Sequence, residues 1–450
     1  MNTINTRTLV DAGVDISYPI WHPYSNINRN YYNLTSMVKG EGIYLYDING
    51  KEYLDASSGL WNISLGYGNK KIMDSIKRQM EQLPYCSLFD HTNPLAVLAA
   101  SSILDKLPEY MKKIFFTCSG SESIELAMKV MRKFWQLEGR PEKNTIISLE
   151  GSYHGTYYGS ISVSGIEREY SKDFGPLPGN IVFFETRKCK NCSEGKQYPN
   201  CSTSCAGEME DFIKANADKI AGIMLEPILS SKGVVILPER YIKHLGYLCN
   251  KYQILLAVDE VAVGFYRTGT AFYIEKIGIQ PDILCMGKGI NSGYLPLGAT
   301  AFNDRITETF SGYNDYLAHG STQGGNLLAC AACAAAMPQY EELNASKNIS
   351  EMGSYFINVL KEQLSYHRNV GEIRGVGFLA EIDLIRSSDR NRFLSVEKIV
   401  LVQERLKRNG LIVYRSETGL TVLPMLIAEK CDIDLMADIV RETMKELIFN

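Results

Sequence analysis

The amino-acid sequence predicts an α/β fold, with a large domain built on a mostly parallel sheet and a smaller α+β domain. Two observations lead to this prediction. From about residue 70 to residue 335, short apolar runs alternate with helical patterns, which is typical of parallel strands covered by helices on both faces. From about residue 340 onward, helical stretches surround two further apolar runs, which indicates a second, smaller α+β unit.

The first sixty residues contain an arm and then a predicted pair of strands. The runs 42–47 and 52–55 flank Ile48-Asn49-Gly50, a turn sequence that favours a hairpin. We expect both ends of the chain to contribute to the small domain. The predicted domains are the arm with part of the small domain (1–65), the large domain (66–339) and the rest of the small domain (340–450).

Six buried strands are predicted in the large domain, each from a short run of apolar residues. Two more runs, 378–382 and 411–414, are predicted strands of the small domain. Open α/β sheets bind ligands at the carboxyl ends of their strands, so the residues just after these runs are the first candidates for a site. The six runs are 114–117, 145–149, 181–184, 220–225, 254–258 and 283–286.

Composition and charge exclude several classes of protein. The chain has 450 residues, of which 45% are hydrophobic and 22% charged, as in an ordinary globular enzyme. Its net charge of -4 provides no general attraction for nucleic acid. We find neither a secretory signal nor an apolar stretch that could cross a membrane. The 11 cysteines then favour the reducing cytoplasm over a disulfide framework.

Four of the cysteines are grouped in an insertion at about 186–206. Cys189 and Cys192 are separated by two residues, and Cys201 and Cys205 by three. These spacings suit a tetrahedral zinc site. Four free thiols on a surface loop explain the same pattern equally well.

Lys288 and Asp259 are the strongest candidates for chemistry. Lys288 lies between two glycines just after the run 283–286, and Asp259 follows the run 254–258. Pyridoxal phosphate enzymes need this pair, because the lysine carries the cofactor as a Schiff base and the acid keeps the pyridine nitrogen protonated. Taken alone, each residue has an ordinary alternative, a surface loop lysine and a solvated acid after a strand.

Two segments near strand ends could bind the phosphate and the ring of such a cofactor. Ser119-Gly120-Ser121-Glu122 opens a predicted helix, and the free N–H groups of a helix start bind phosphate. Tyr153, in Gly151-Ser152-Tyr153-His154-Gly155, could stack on a flat ring. The alternatives are a capped helix, a tyrosine packed on the core and a hydrogen-bonded structural histidine.

Two further segments have less specific patterns. The glycine-rich loop 319–326 could donate hydrogen bonds to a phosphate. Arg415 follows the run 411–414, and arginine is the usual bidentate partner of a carboxylate. A solvated arginine at the end of a strand is the ordinary alternative for Arg415.

The order and spacing of these segments resemble the class III aminotransferases, pyridoxal phosphate enzymes of fold type I. The resemblance extends from about Trp21 to the C-terminus. The most specific segments are 119–122 with Glu125, Ala127 and Lys129; Tyr153-His154-Gly155; Glu226-Pro227; Asp259-Glu260-Val261 with 264–265 and 267–269; Gly287-Lys288-Gly289; and 319–322.

The resemblance implies a role for each matching residue around the cofactor ring. Lys288 would form the Schiff base and then move the proton. Asp259 would hold the pyridine nitrogen, Tyr153 would stack on the ring, and Val261 would pack on its other face. His154 follows Tyr153 in the same motif and is included among the cofactor-binding residues.

The resemblance also implies a shared phosphate site. Gly120 and Ser121 would bind the phosphate together with Thr322 of the partner subunit, so a homodimer is expected. Glu226 would lie near the cofactor and could pair with a mobile Arg415.

The segment Ser58-Gly59-Leu60-Trp61 resembles the ω-transaminase branch of the family. Trp61 would line the substrate pocket there, and Arg415 would bind a carboxylate or swing aside for an apolar group. Trp21-His22-Pro23-Tyr24 is instead similar to the diaminopelargonate aminotransferases of biotin synthesis, which places Tyr24 among the substrate-binding candidates. Those enzymes typically have two adjacent tryptophans where this chain has Leu60-Trp61.

Two departures from the family pattern are expected near the substrate. Tyr266 replaces a glycine, and 229–232 replaces a glycine-rich turn. The resemblance predicts a ping-pong aminotransferase that moves an amino group from a primary amine or ω-amino acid to pyruvate or 2-oxoglutarate. The alternatives are a diaminopelargonate-type aminotransferase, a related aminomutase, racemase or decarboxylase, and a regulatory protein that binds the cofactor and uses the cysteine insertion for partner contacts.

Overall fold

A computed structural model describes residues 20–27, 34–185 and 206–449. The strands are β1 (Met37–Glu41), β2 (Tyr44–Asp47), β3 (Glu52–Asp55), β4 (Met111–Thr117), β5 (Thr145–Leu149), β6 (Ile181–Phe184), β7 (Ile220–Leu225), β8 (Ile228–Leu229), β9 (Val235–Ile236), β10 (Leu255–Asp259), β11 (Ile283–Met286), β12 (Gly298–Asn303), β13 (Val370–Val376), β14 (Leu379–Leu384), β15 (Leu411–Ile412), β16 (Tyr414–Arg415) and β17 (Gly419–Val422). The helices are α1 (Lys70–Gln82), α2 (Pro94–Leu104), α3 (Gly120–Leu137), α4 (Tyr158–Ser162), α5 (Gly207–Asn216), α6 (Glu239–Lys251), α7 (Tyr273–Ile277), α8 (Asp304–Gly312), α9 (Leu327–Glu342), α10 (Ala345–Leu364), α11 (Val396–Arg408) and α12 (Lys430–Glu446).

The large sheet has seven strands in the order β4-β12-β11-β10-β7-β5-β6. Six of them run in the same direction, and β12 is antiparallel to both of its neighbours. All residues of β10 and β11 are buried, because helices cover both faces of the sheet. The predicted mostly parallel sheet is therefore confirmed.

Strand pairing places Asp259 and Lys288 at the same edge of the sheet. Strands β10 and β11 are parallel neighbours, and Asp259 at the end of β10 is in register with Cys285 in β11. Lys288 follows Cys285 by three residues. The two residues singled out in the sequence are therefore brought together by one strand pair.

Strand β12 was not predicted. Its sequence, Gly-Ala-Thr-Ala-Phe-Asn, is dominated by small residues and has no clear β-branched or aromatic pattern. It forms a strand because β4 and β11 offer a free hydrogen-bonding edge on each side of it. All of its residues are buried.

The small domain combines segments from both ends of the chain, as predicted. The antiparallel strands β1, β2 and β3 are extended by β15, which pairs with β3 in parallel. A second sheet has the order β13-β14-β17-β16. The exact domain boundaries remain a prediction, and the one placed at 339/340 falls inside α9, which ends at Glu342.

Candidate active site

Lys288 begins a short 3-10 turn directly after β11. Its φ of +44° is in the left-handed region, which costs a residue other than glycine roughly 1–3 kcal/mol. Burial lowers the pKa of its amine, while the negative charges of Asp259 and Glu226 oppose that shift. The Nζ atom lies 5.1 Å from the centre of the Trp61 ring. This amine is therefore easier to deprotonate than an ordinary lysine, which favours a nucleophile or a base.

Asp259 is held in place by two hydrogen bonds. Its Oδ1 accepts from the backbone N–H of Val261 at 2.9 Å, and its Oδ2 is 2.8 Å from His154 Nδ1. His154 is buried, and its backbone N–H donates to Ser164 Oγ at 2.8 Å. The expected structural histidine is thus hydrogen-bonded to the candidate catalytic acid and fixes its orientation.

The start of α3 forms one end of the pocket. Ser119 Oγ accepts from the backbone N–H of Glu122 at 3.2 Å, and Glu122 Oε2 accepts from the backbone N–H of Cys118 at 2.7 Å. A β-carbon on Gly120 would lie 2.7 Å from Val261 Cγ1, so the helix start tolerates no side chain there. The uncapped N–H groups of this first turn can receive a phosphate.

Glu226 is a buried carboxyl group beside this pocket. It accepts hydrogen bonds from the backbone N–H groups of Tyr153 at 2.9 Å and Ser230 at 3.1 Å. Burial raises its pKa to about 7, against the opposing effects of His154 and of these two hydrogen bonds. The suggested pair between Glu226 and Arg415 is not formed in the structure.

These residues surround one cavity of about 170 Å³. Every predicted cofactor-binding residue except Thr322 lines it. Four lining residues had no predicted role of their own, although three of them adjoin predicted residues and the fourth belongs to the unusual turn 229–232: Ser119, Gly155, Ala262 and Ser231. The cavity is lined by Ser119, Gly120, Ser121, Tyr153, His154, Gly155, Glu226, Ser231, Asp259, Val261, Ala262 and Lys288.

Trp61 and Arg415, two candidates for substrate binding, lie in different places. Trp61 contacts the lysine end of the pocket, and its ring meets that of Tyr414 edge to face at 5.8 Å. Neighbouring residues of a strand point to opposite faces. Because Tyr414 faces Trp61, Arg415 is exposed and lines a separate cavity with Lys51 and Arg408.

Tyr24 approaches the pocket from the N-terminal segment. Its hydroxyl donates to Glu167 Oε1 at 3.2 Å and also hydrogen-bonds to Tyr153. Tyr24 therefore lies beside a residue that lines the cavity. The sequence had no signal for Glu167, because nothing in the run Gly165-Ile166-Glu167 distinguishes it from a surface turn.

Thr322 does not line the pocket of its own chain. Its backbone carbonyl accepts from the Tyr85 hydroxyl at 2.7 Å. The preceding Ser321 Oγ is 3.5 Å from Cys118 Sγ, just before α3. This position is compatible with a contact to a second subunit, as the resemblance implies.

Tyr266 lies away from the pocket, contrary to the expectation that it faces the substrate. Its φ is +68°, a conformation that glycine adopts without strain, which explains why glycine is usual at this position. The Tyr266 ring packs on Tyr340 at 5.4 Å. The packing of Tyr266 on Tyr340 offsets part of the backbone strain. Ser231, in the other unusual segment, does line the cavity.

The family described as aminotransferase class-III matches residues 26–444. This chain is a class III aminotransferase. The adenosylmethionine-8-amino-7-oxononanoate aminotransferase of Staphylococcus aureus is 31% identical, over 95% of this chain and 96% of that protein. The putrescine–pyruvate aminotransferase of Pseudomonas aeruginosa is 29% identical, over 98% of this chain and 96% of that protein. The solved structure of an (S)-enantioselective omega-transaminase from Thermomicrobium roseum has a TM-score of 0.91 and 30% identity, covering 99% of both chains.

As a class III aminotransferase, the chain works with pyridoxal phosphate. The pocket fits this cofactor. It has a helix start with glycine at Gly120 for the phosphate, a buried acid for the ring nitrogen and a lysine for the aldehyde carbon. The tyrosine at 153 and Val261 supply two surfaces for the ring.

The predicted zinc site lies outside the described residues, as do all four of its cysteines. Within 20–27, 34–185 and 206–449, no group of three or more His, Cys, Asp or Glu side chains could hold a metal ion. In the same part of the chain, none of the helices combines the length and the apolar character that crossing a membrane requires.

Proposed function

We propose that this aminotransferase moves an amino group from a primary amine or ω-amino acid to a keto acid such as pyruvate or 2-oxoglutarate, with Lys288 as the base. The observation that carries the proposal is the position of the Lys288 amine, which has a lowered pKa and lies in one pocket with the Asp259 carboxylate. Two half-reactions that share one pocket give ping-pong kinetics.

Each residue has a defined task in this proposal. Pyridoxal phosphate, when bound, supplies an electron sink for the carbanion of the substrate. Lys288 would hold the cofactor, and its Nζ would move the proton from the donor carbon. Asp259, oriented by His154, would accept a hydrogen bond from the ring nitrogen and keep it protonated. Tyr153 and Val261 would contact the ring, and the helix start at Gly120 and Ser121 would hold the phosphate.

Trp61, Tyr24 and Arg415 are proposed to contact the substrate. Trp61 is supported by its contact with the Lys288 amine, and Tyr24 by its hydrogen bond to Tyr153. Arg415 would have to turn from its separate cavity to bind a carboxylate. The relative from P. aeruginosa, named for putrescine and pyruvate, supports an amine donor and a keto acid acceptor.

A diaminopelargonate-type reaction is the second candidate, because the relative from S. aureus is named for it. The two candidates differ in their amine donor. Adenosylmethionine would serve as donor in the second candidate and simple amines in the first, so turnover with each donor separates them.

We also propose a homodimer in which Thr322 of the partner subunit completes the phosphate site. The position of Thr322 outside its own pocket supports this arrangement. The cytoplasm remains the predicted location, and cell fractionation tests it. Zinc at the four cysteines remains a prediction that metal analysis of the wild type and of a variant without these cysteines tests.

The visible absorption spectrum of the purified protein tests the proposed function. We expect a yellow band that bleaches when certain amines or ω-amino acids are added without an acceptor. Lys288→Ala should still bind the cofactor but lose turnover, because the amine proposed to move the proton is removed. Normal turnover in this variant, or a protein that stays colourless with added cofactor, would contradict the proposal. Lys172→Ala is the control, since Lys172 is exposed and pairs with Glu169.

A further inference from the structure

Glu167 is a buried carboxyl group beside the pocket, and it has no role in the proposed proton transfer or cofactor binding. It ends the short turn Gly165–Glu167 and is 6% exposed. A buried carboxylate needs hydrogen bonds or a cation to compensate for the lost water. The Tyr24 hydroxyl, at 3.2 Å, donates the hydrogen bond that the structure describes for it.

The cations next to Glu167 and next to its neighbour Glu417 pair with other groups. Arg168 extends from the next residue to Glu150, with Nη1 2.5 Å from Oε1. Lys232 Nζ contacts Glu417 at 3.2 Å. Glu417 also adds its own negative charge to the surroundings of Glu167. Among the described residues, no ion pair includes Glu167, and burial raises the pKa of its carboxyl group, so a cation bound beside it would favour the ionised form.

Aromatic side chains connect Glu167 to the reacting lysine. The Lys288 amine lies 5.1 Å from the Trp61 ring, which is 5.8 Å from the ring of Tyr414. The charge of Glu167 acts on Tyr414 and also on Tyr153, which lines the lysine cavity. Tyr24 hydrogen-bonds to both Tyr153 and Glu167, so an aromatic wall of Tyr153 and Tyr24 links the lysine cavity to the Glu167 carboxyl group.

We propose that Glu167 binds the distal ammonium group of a diamine donor, while the other amino group of the same molecule reacts at Lys288. This inference rests on the proposed aminotransferase function and names its donor class. The aromatic wall accommodates the methylene chain, and carboxylate and aromatic rings together bind an ammonium group. An ω-amino acid of the same length would place its carboxylate against Glu167 and be repelled.

The test compares donors that differ only in their distal group. Steady-state kinetics with excess pyruvate are measured for butane-1,4-diamine, butylamine and 4-aminobutanoate, and for their five-carbon homologues. We expect the wild type to prefer the diamines. Glu167→Gln should lower kcat/KM for the diamines roughly 10- to 100-fold, mostly through KM, because a charge-assisted hydrogen bond is lost. The values for the monoamines should change less than about threefold.

Glu169→Gln is the matched control, because Glu169 lies two residues away, is exposed and pairs with Lys172. This variant should retain the donor preference of the wild type. Glu167→Lys should reverse the preference toward the ω-amino acids. The yellow band and the melting temperature of each variant report cofactor binding and folding.

Two results would overturn the inference. One is an equal fall in kcat/KM for all donors in Glu167→Gln. The other is a wild type that accepts monoamines without preferring diamines. The second result leaves the proposed aminotransferase function intact. A wild type that turns over no amine donor at all would instead contradict the proposed function itself, and the inference with it. Turnover of the monoamines therefore distinguishes the two failures.

Discussion

Glu226 shows how strongly the surroundings of a single residue can change its chemistry. Its carboxyl group is buried, and burial raises its pKa from an ordinary 4.5 to about 7. In the pocket without cofactor, the folded protein thus keeps a proton on Glu226 between about pH 4.5 and pH 7, whereas the unfolded chain releases it. Stability must therefore fall as the pH rises through this window.

Glu226→Gln should remove this part of the pH dependence. The ionised glutamate destabilises the folded protein by roughly 3 kcal/mol relative to the protonated form, so the wild type should lose up to about that amount between pH 4.5 and pH 7.5. Glutamine does not ionise, although it replaces one acceptor oxygen and loses a backbone hydrogen bond at every pH. The measurement is urea unfolding of both apoproteins across this pH range.

The informative quantity is the difference between the two curves, because other buried acids also titrate. Glu260 is one of these, and burial raises its pKa to about 8. If the difference in unfolding free energy between wild type and Glu226→Gln stays constant over the range, the raised pKa of Glu226 is wrong.

At the level of elements, the site depends on the close contact between the loop after β5 and the start of α3. Gly155 has a φ of +112°, and a β-carbon there would overlap the Ser121 side chain. Two independent constraints therefore require glycine at this position, one from the backbone and one from packing. Both residues line the pocket, so a shift of either one changes its shape.

Gly155→Ala should weaken both the fold and the binding of the cofactor. We expect a loss of roughly 2–3 kcal/mol in unfolding free energy, because both the strained backbone and the overlap contribute. Cofactor affinity should fall about tenfold or more, since Ser121 has to move. Urea unfolding and titration of the apoprotein with pyridoxal phosphate measure these two effects.

Gly139→Ala is the matched control for the loss of stability that comes from backbone strain alone. Gly139 has a φ of +70°, and a β-carbon there would meet nothing within 4 Å. This variant should lose about 1 kcal/mol of stability and bind cofactor normally. Equal effects of the two variants on cofactor affinity would mean that the contact between Gly155 and Ser121 does not shape the site.

At the level of the whole molecule, the site is expected to be complete only in a dimer. Thr322 lies outside the pocket of its own chain, and in the described part of the chain the predicted phosphate end of that pocket is formed by the groups at the start of α3. A dimer would have twice the 50.5 kDa mass of one chain. Light scattering after size-exclusion chromatography measures this mass directly.

Mixed dimers test whether Thr322 acts across the interface. One subunit has Lys288→Ala and the other Thr322→Val, with different affinity tags. If Thr322 acts across the interface, the second subunit has an intact lysine and receives the unchanged threonine of the first, so about half of the wild-type activity should remain. If Thr322 acts within its own chain, both sites of the mixed dimer are defective.

Two preparations establish the baseline for this experiment. The Thr322→Val homodimer should bind cofactor more weakly than the wild type, because a phosphate hydrogen bond is lost. A dimer of wild type with the double variant should keep about half of the activity if Thr322 acts within its own chain. A mixed dimer of Lys288→Ala with Thr322→Val that is no more active than the Thr322→Val homodimer would contradict a shared site.

The residues that line the candidate site could be singled out in the sequence because their signals are local. Lys288 and Asp259 each follow an apolar run, and parallel strands bring their carboxyl ends to one edge of a sheet. The capped helix start at Ser119 and the Tyr153-His154-Gly155 turn are likewise readable from neighbouring residues. Strand periods and helix caps depend on a few consecutive side chains, so the sequence alone determined the fold class and, through the family resemblance, the residues proposed for this site.

The contacts around that site depend on the tertiary structure and could not be predicted from the sequence. Strand β12 forms because two neighbours offer it hydrogen bonds, the direction of Arg415 follows from Tyr414 packing on Trp61, and Glu167 reaches Tyr24 across 143 positions of the chain. Such contacts join distant segments and leave no pattern in either one. Burial, and with it the pKa of Glu226, likewise exists only once the chain is folded, because desolvation depends on every element packed around the group.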